Sequence, residues 1–178
     1  RHAVFGTGAP TAPLPVQTDK ESNMTKLQDA FWKRIDDVQA GLLMADGERP
    51  VPMAPQAYKD ENAIFFITAA GSAADRAAKS GGEATFHVAD PKANLYANVW
   101  GKLDESGDSK KLDDMWSAMA AAWFPEGRDD NTVRLVKFTP HDAEVWATES
   151  GAGYLYEIAK SNVTKDTPDT GEHGRVTF

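Results

Sequence analysis

Three polar residues stand close together where a hydrophobic run gives way to an alanine-rich one, and they could bind a phosphate group. Thr68 ends the run, Ser72 stands at the start of the next predicted helix, and Arg76 follows one turn later. A hydroxyl at a helix start can cap its own helix or, together with the free N–H groups there, bind an anion. Capping is the more common role, and Arg76 could equally be a solvated surface residue. The two roles of Ser72 are compatible, because a ligand phosphate can replace water at the helix end.

Two adjacent aromatic residues, Trp123 and Phe124, form a second candidate site. They come just before Pro125 and Gly127, where a helix is predicted to end. Large aromatic side chains at a helix exit can contact a flat ligand or a second chain, and they can equally fill the core. The sequence leaves these alternatives open.

Residue types exclude or disfavour several other kinds of chemistry. The chain has no cysteine, and therefore no thiol nucleophile, zinc–thiolate site or iron–sulfur cluster. Its four histidines are too scattered for a recognisable metal-binding spacing, so we expect no metal. No G-x-S-x-G motif is present, and the Gly-x-Gly segments at 6–8 and 151–153 do not join a strand to a helix as a dinucleotide site requires. These patterns identify no catalytic residue.

Length and charge restrict the class of protein. The 178 residues are enough for one domain with a full core, and 27 acidic against 19 basic side chains give a formal net charge of −8. Such a surface repels phosphate backbones and anionic lipids, so we expect no nucleic-acid partner and no membrane partner. No apolar run approaches the about 18 residues of a membrane span, and the first twenty residues do not resemble a signal peptide. We therefore expect a soluble, cytoplasmic protein.

The two ends of the chain differ in composition from its middle. Residues 1–24 include three prolines among small and polar residues, and they are predicted to form a flexible arm or the remnant of a tag. Residues 159–178 are again polar and are predicted to form a tail, although Val176 and Phe178 could hold its end in place. The folded domain is therefore predicted to cover residues 25–158.

Short hydrophobic runs within this body predict about seven strands. The runs at 40–45 and 51–58 flank Asp46-Gly47, a turn pair typical of a β-hairpin. Further β-branched and aromatic runs predict strands at 63–68, 84–89, 94–103, 132–139 and 143–148. Because strands follow one another without regularly alternating helices, they predict an antiparallel barrel and not a doubly wound parallel sheet.

Helical periodicity predicts three helices inserted among the strands. The first begins near Thr25, which with Gln28 resembles a capping box, and the short second helix begins at Ser72. The third is predicted to be long, because one apolar stripe continues through Leu112, Met115, Trp116, Met119 and Trp123. The expected fold is thus mainly β with inserted helices, in the α+β class.

Several longer segments occur in an order that is more informative than any one of them. They are Pro52-Met53-Ala54-Pro55, Ile64–Thr68, Leu95–Gly101, Trp123–Gly127 followed by Asp129-Asp130, Ala143–Trp146 and the ending Gly171–Gly174. This order, over about residues 25–148, resembles the general stress protein branch of the pyridoxamine 5'-phosphate oxidase-like proteins. The resemblance implies a six- to seven-stranded antiparallel split β-barrel that binds FMN at the interface of a homodimer.

The resemblance also implies roles for individual residues. Pro52 and Met53 match the segment along the isoalloxazine ring of the flavin, and Ser72 matches the turn beside its phosphate. These residues are combined with the candidates named above for their side-chain chemistry. The predicted cofactor-binding residues are then Pro52, Met53, Thr68, Ser72, Arg76, Trp123 and Phe124. FAD or another flavin is an alternative ligand, because these molecules share the ring and in part the phosphate.

Two positions depart from the family pattern. Related branches have an arginine directly before Pro-Met, where this chain has Val51, and a lysine shortly after the serine, where it has Ala74. Each missing charged hydrogen bond removes about 1.5–3 kcal/mol of binding. The sequence therefore predicts weakened affinity for the flavin phosphate.

Three functions compete at this point. The first is an FMN-dependent oxidoreductase of unknown substrate, in which the flavin supplies the electron chemistry. The second is a nonenzymatic dimer that stores, senses or carries flavin during stress, and the third is an interaction barrel without flavin. Five tryptophans in 178 residues favour a large apolar interface between two copies.

Overall fold

Eight antiparallel strands form one sheet in the computed structural model, which describes residues 18–116, 118–148, 159–165 and 171–178. They are β1 (Gly41–Ala45), β2 (Val51–Met53), β3 (Gln56–Tyr58), β4 (Ala63–Ala69), β5 (Glu83–Asp90), β6 (Leu95–Ser106), β7 (Val133–Thr148) and β8 (Gly171–Thr177). The strand order is β2-β1-β5-β6-β7-β4-β3, and β8 pairs with the second half of β7.

The two ends of this strand order are joined by the chain itself. β2 and β3 stand at opposite ends of the order, yet only Ala54 and Pro55 separate them. A connection of three residue steps spans at most about 11 Å, so the two ends lie close together and the sheet curls into a barrel. Pro52 and Pro55 lack the N–H group that strand pairing uses. The predicted antiparallel barrel with inserted helices is confirmed.

The hairpin between β1 and β2 shows how local sequence starts this barrel. Asp46 and Gly47 both have positive φ angles, of 48° and 74°, and Glu48 N–H donates to the carbonyl of Ala45 at 2.9 Å. This is the type I′ geometry that matches the twist of the flanking strands, and glycine adopts it without strain. The predicted hairpin is therefore confirmed, and Leu43 pairs with Val51.

Three phenylalanines form the centre of the barrel. Phe66, Phe86 and Phe138 come from three different strands, and each is fully buried. The ring of Phe66 lies 5.0 Å from that of Phe86 and 6.4 Å from that of Phe138, both nearly edge-on. Such pairs add about 0.5–1.5 kcal/mol to the burial of the rings themselves.

The first helix, α1 (Thr18–Ile35), begins earlier than predicted. The predicted capping box at Thr25 is wrong, because Thr25 and Gln28 lie inside this helix. The reason is that the buried face of α1 starts only at Leu27, while residues 22–26 are exposed and carry no apolar periodicity. The helix therefore also includes residues 18–24 of the segment that the sequence predicts to be an arm.

The C-terminal segment likewise contains more structure than a tail. Residues 159–164 are helical, and β8 pairs with β7 from Asp142 to Thr148. Val176 is fully buried, and the ring of Phe178 lies 5.1 Å from Phe31 and 5.5 Å from Trp32 of α1. A strand that pairs through its backbone and carries mostly polar side chains gives little hydrophobic signal, which explains why the sequence predicts a tail here.

A single strand, β7, replaces the two strands predicted on either side of Pro140. Gly101 of β6 pairs with Pro140 and Trp100 pairs with Asp142, so His141 is an extra residue in β7. Such a β-bulge accommodates a proline, whose missing N–H would otherwise interrupt the ladder. The strand therefore bends at Pro140 but does not end there.

The remaining helices are α2 (Ala73–Ser80), α3 (Ser109–Met115) and α4 (Ala118–Trp123). The start of α2 at Ser72 is as predicted, but the predicted long third helix is wrong. Trp116 leaves the helical conformation with ψ at 122°, and its ring lies 5.9 Å from that of Phe124. The apolar stripe is thus shared between two short helices, α3 and α4. Trp116 lies between them and packs against the ring of Phe124, which follows α4. No helix among the described residues is long and apolar enough to cross a membrane.

Candidate functional site

A cleft of about 630 Å³ opens where the two ends of the sheet meet. Its walls come from four parts of the chain: residues 39–40 after α1, residues 51–56, residues 67–69 at the end of β4, and Met115, Ala120, Trp123 and Phe124. Its volume falls within the range of about 300–1,000 Å³ that is typical of small-molecule sites. The strand order thus brings together segments that are far apart in the sequence.

Five of the seven predicted cofactor-binding residues line this cleft. They are Pro52, Met53, Thr68, Trp123 and Phe124. Val51, the residue that stands in place of the family's arginine, lines it as well. Ser72 and Arg76 are not among the lining residues.

The cleft is apolar, with a few neutral polar groups. None of the described residues that line it is ionisable, and its polar side chains are Gln39, Gln56 and Thr68. Amide and hydroxyl groups can donate and accept hydrogen bonds without adding charge. A wall of this kind suits a flat, largely apolar ligand with polar atoms at its edge.

Thr68 connects the cleft to the start of α2. Its Oγ1 lies 2.9 Å from Ser72 Oγ, and Ser72 Oγ accepts a hydrogen bond from Asp75 N–H at 3.1 Å. Ser72 is therefore the N-cap of α2, in the geometry that its position in the sequence predicts. A ligand in the cleft would meet the hydroxyl of Thr68 before that of Ser72.

A buried carboxylate, Asp75, stabilises the turn between β4 and α2. Asp75 Oδ2 accepts hydrogen bonds from Gly71 N–H at 2.7 Å and from Lys79 Nζ at 2.9 Å, and Arg134 Nε lies 3.7 Å from Oδ1. The hydrogen bond from Lys79 lowers the pKa of Asp75 below its usual value, helped by Gly71 N–H and by the charges of Lys79 and Arg134, although burial opposes this. Asp75 is therefore ionised at neutral pH.

Arg76, predicted as a phosphate ligand, has other partners. It forms an ion pair with Glu48 and donates to the carbonyl of Gly71 at 2.5 Å. Its side chain is half exposed. Arg76 thus joins α2 to the loop after β1, and an anion would have to compete with Glu48 for its guanidinium group.

The two aromatic residues at the end of α4 differ in their surroundings. Phe124 is buried beside Trp116, whereas Trp123 is 79% exposed although both line the cleft. Leaving an indole ring in water forfeits the largest apolar contact that any side chain can make. Trp123 is therefore available to a ligand or to another protein surface.

Several residues of the site could not be singled out from the sequence. Gln56 carries no motif, Ile67 lies in a hydrophobic strand segment that assigns it no role, and Met115 belongs to the apolar stripe of a predicted helix. Asp75 had a usable signal, because it stands three residues after the N-cap, where an acidic residue can interact with free N–H groups at the helix start. The position of Ala120 depends on the break between α3 and α4, which no local pattern indicates.

A second, smaller cavity of about 460 Å³ lies on the outer face of the sheet. It is lined in part by Trp100, Glu83, His141 and Asp142. Burial lowers the pKa of His141, but hydrogen bonds that its ring donates to the carboxylates of Asp142 and Glu83 outweigh burial and raise the pKa above its usual value. Among the described residues, no group of three or more histidine, aspartate or glutamate side chains is arranged to hold a metal ion.

Comparison with known proteins places this geometry in a family context. The family model for proteins described as pyridoxamine 5'-phosphate oxidase like matches residues 26–169. A solved structure from Jannaschia sp. CCS1, described as general stress protein 26, is 45% identical, covers 87% of this chain and 100% of its own, and superposes with a TM-score of 0.81. None of the curated proteins matches the chain.

Two Xanthomonas structures are more distant relatives. The general stress family protein of Xanthomonas campestris pv. campestris is 27% identical over 71% of this chain and 90% of its own, with a TM-score of 0.60. The general stress FMN/FAD binding protein of Xanthomonas citri is 27% identical over 71% of this chain and 92% of its own, with a TM-score of 0.62.

Proposed function

Because this chain belongs to the pyridoxamine 5'-phosphate oxidase-like family, we propose that it is a flavin-binding redox protein whose cofactor lies in the cleft. The observation that carries the proposal is the cleft itself, which combines an apolar wall with three neutral polar side chains. The flavin-binding description of the Xanthomonas citri relative supports it. The specific proposal is an FMN-dependent oxidoreductase of the general stress type.

The residues of the cleft fit the ring of a flavin better than its phosphate. Pro52, Met53 and Ile67 offer apolar surface to a flat ring, and Gln56 and Thr68 offer hydrogen bonds to polar ring atoms. A bound flavin would supply the electron chemistry. The chain's own residues would orient the ring, and the apolar wall would exclude water from one of its faces.

FMN is the proposed cofactor, with FAD or another flavin as the alternative. Val51 stands where related branches have an arginine, and none of the described residues that line the cleft is charged. The described part of the cleft therefore offers no positively charged side chain to bind a phosphate. Affinity would then come mainly from the ring, since burial of apolar surface does not depend on the phosphate.

We further propose that the protein is a homodimer with flavin at its interface. Trp123 is 79% exposed at the cleft, and Leu42 and Val51 are exposed on paired strands nearby. A second copy could cover these side chains and complete the site. Light scattering of the flavin-loaded protein would test this proposal, because a species of 19.3 kDa would contradict it.

The second candidate function is a nonenzymatic dimer that stores or senses flavin. One observation favours it: none of the described lining residues can act as a general acid or base. Addition of NADH or NADPH under anaerobic conditions separates the two candidates. Bleaching of the flavin absorbance supports the oxidoreductase, whereas a bound flavin that stays oxidised supports storage or sensing.

The first prediction tests flavin binding at the cleft. Ala69 lines the cleft and is exposed, so Ala69→Trp should fill it without disturbing the core and should weaken flavin binding at least about 10-fold, which corresponds to about 1.4 kcal/mol. The measurement is titration of the flavin-free protein into riboflavin and FMN, followed by flavin fluorescence. Ala89→Trp is the matched control, because Ala89 is exposed on β5 outside the cleft. Failure of the wild-type protein to bind either flavin would contradict the proposal.

A second prediction concerns Ser72. As the N-cap of α2, its hydroxyl satisfies Asp75 N–H, so Ser72→Ala should lower the free energy of unfolding by about 1 kcal/mol. Since Ser72 does not line the cleft, the substitution should change the affinities for FMN and riboflavin by the same factor. Urea unfolding and fluorescence titration measure the two effects. A loss of about 5- to 30-fold for FMN alone would instead assign the hydroxyl to the phosphate.

A further inference from the structure

Lys111 of α3 is a buried lysine beside the cleft. Among the described residues, Asp75 and Lys111 are the only charged side chains that are buried, and the side chain of Lys111 is 8% exposed. A buried ammonium group is costly unless it is paired. Its surroundings therefore have to compensate for the lost water.

Two aromatic rings and one carboxylate surround this ammonium group. Lys111 Nζ lies 3.9 Å from the ring centre of Tyr58 and 4.3 Å from that of Phe65, and it donates to Glu61 Oε1. The two rings are edge-on to each other, with centres 5.3 Å apart. Cation–π attraction is strongest for a desolvated cation within about 6 Å of a ring centre. The carboxylate of Glu61 and the two aromatic rings thus compensate the buried ammonium group of Lys111 for the water it has lost.

The partners of Lys111 do not line the cleft themselves, but they lie on or between β3 and β4, two strands whose other residues line it. Tyr58 is the last residue of β3, Glu61 lies in the connection to β4, and Phe65 belongs to β4. Phe65 and Ile67 form an apolar cluster with Leu112 and Met115 of α3. Ile67 and Met115 of that cluster line the cleft directly.

The α3–α4 segment (residues 109–124) needs such an attachment. Its helices have seven and six residues, which is too short for stability without tertiary contacts. An ion pair between Arg128 and Asp113 also holds α3, but the side chain of Asp113 is 57% exposed, and exposed pairs contribute little. Lys111 is the buried residue of α3, so its contacts and those of the apolar cluster provide the buried attachment of this helix.

We infer that Lys111 is a positioning residue for the cleft, which holds the α3–α4 segment so that Met115, Trp123 and Phe124 form one of its walls. The inference rests on the proposed function only where it concerns flavin. The attachment of the segment is a property of the protein without ligand, and it can be measured separately.

The test compares Lys111→Ala with Lys110→Ala by hydrogen exchange of the flavin-free protein. Lys110 is the neighbour on the same helix, has an 85% exposed side chain, and pairs only at the surface with Asp114. We expect amides of residues 112–116 and 120–124 to exchange at least tenfold faster in Lys111→Ala, while amides of β6 are unchanged. In Lys110→Ala the exchange should change less than about threefold. Equal exchange in the two variants would overturn the inference.

Flavin affinity provides the second readout. Riboflavin should bind about tenfold more weakly to Lys111→Ala and normally to Lys110→Ala. Unchanged affinity in a variant with faster exchange would overturn the positioning role. If the wild-type protein binds no flavin, the proposed function fails, and the exchange result alone decides whether Lys111 holds the segment.

A milder substitution guards against loss of the fold. Glu61→Gln removes the charge opposite Lys111 at a side chain that is 44% exposed, so it should leave the core intact. It should accelerate exchange of the same amides by a smaller factor than Lys111→Ala. Acceleration that spreads equally to β6 would indicate general destabilisation and would overturn the inference.

Discussion

Replacing Gly101 by alanine is expected to lower the free energy of unfolding by about 3 kcal/mol, because no room exists for a methyl group. A Cβ atom at this position would overlap the carbonyl oxygen of Thr139 and would lie 2.8 Å from the ring of Phe138, in the barrel core. Both neighbours belong to β7 at its bulge. The substitution would therefore force apart the two longest strands of the sheet.

Gly107→Ala is the matched control for this prediction. Gly107 lies in the loop after β6, and a Cβ atom there would meet nothing within 4 Å. Its effect should stay within about 0.5 kcal/mol. Urea denaturation of both variants measures the difference, and similar midpoints would contradict the argument from close packing.

Loss of the Asp75 carboxylate is expected to have the next largest effect. Asp75→Ala removes the acceptor of Gly71 N–H and the buried partner of Lys79 and Arg134, which should cost about 2–4 kcal/mol. Asp114→Ala is a suitable control, because its pair with Lys110 has the same spacing but is exposed. That control should lose less than about 1 kcal/mol. Equal losses would mean that burial of the Asp75 pair is unimportant.

The effect of Asp75 should also depend on pH in a defined direction. Its pKa is lowered in the folded protein from the usual 3.8, so the folded state binds this proton less readily than the unfolded chain. The stabilisation from the ionised group is therefore complete above about pH 5, about one unit above the unfolded pKa, and it is lost as the pH falls through the lower, folded pKa. We expect the stability difference between wild type and Asp75→Asn to shrink between pH 5 and pH 2. A difference that grows on acidification would contradict the assignment.

The sequence predicts those elements whose signals are local. The hairpin at Asp46-Gly47 follows from the positive φ that these residues accept, and the N-cap at Ser72 follows from its hydroxyl. The start of α1 and the strand β8 could not be predicted, because their residues make contacts mainly through the backbone or remain solvated. The bulge at Pro140 could not be predicted either, since it depends on the close approach of Gly101 from another strand.

The candidate site shows the same difference between residues with a local sequence signal and residues whose role depends on distant parts of the chain. The resemblance and the residue types bring out Pro52, Met53, Thr68, Trp123 and Phe124, which do line one cleft. Lys111 could not be found in this way, because a lysine that follows another lysine on a short helix is usually a surface residue. Its role depends on two rings that reach it from another part of the fold.

The contact between α1 and the C-terminal strand has a consequence for biosynthesis. Gln28 in α1 donates to the carbonyl of Thr177, 149 residues further along the chain, beside the rings of Phe31 and Phe178. A ribosome releases the chain from its N-terminus, so the aromatic face of α1 is made early, and the last of its covering residues are added only when translation reaches 171–178. During that interval the nascent chain carries a partly uncovered apolar helix, the kind of surface that chaperones bind and that promotes aggregation. Completion of the fold is thus tied to release of the C-terminal strand, and a prematurely terminated chain would be left with a surface that quality-control proteases recognise.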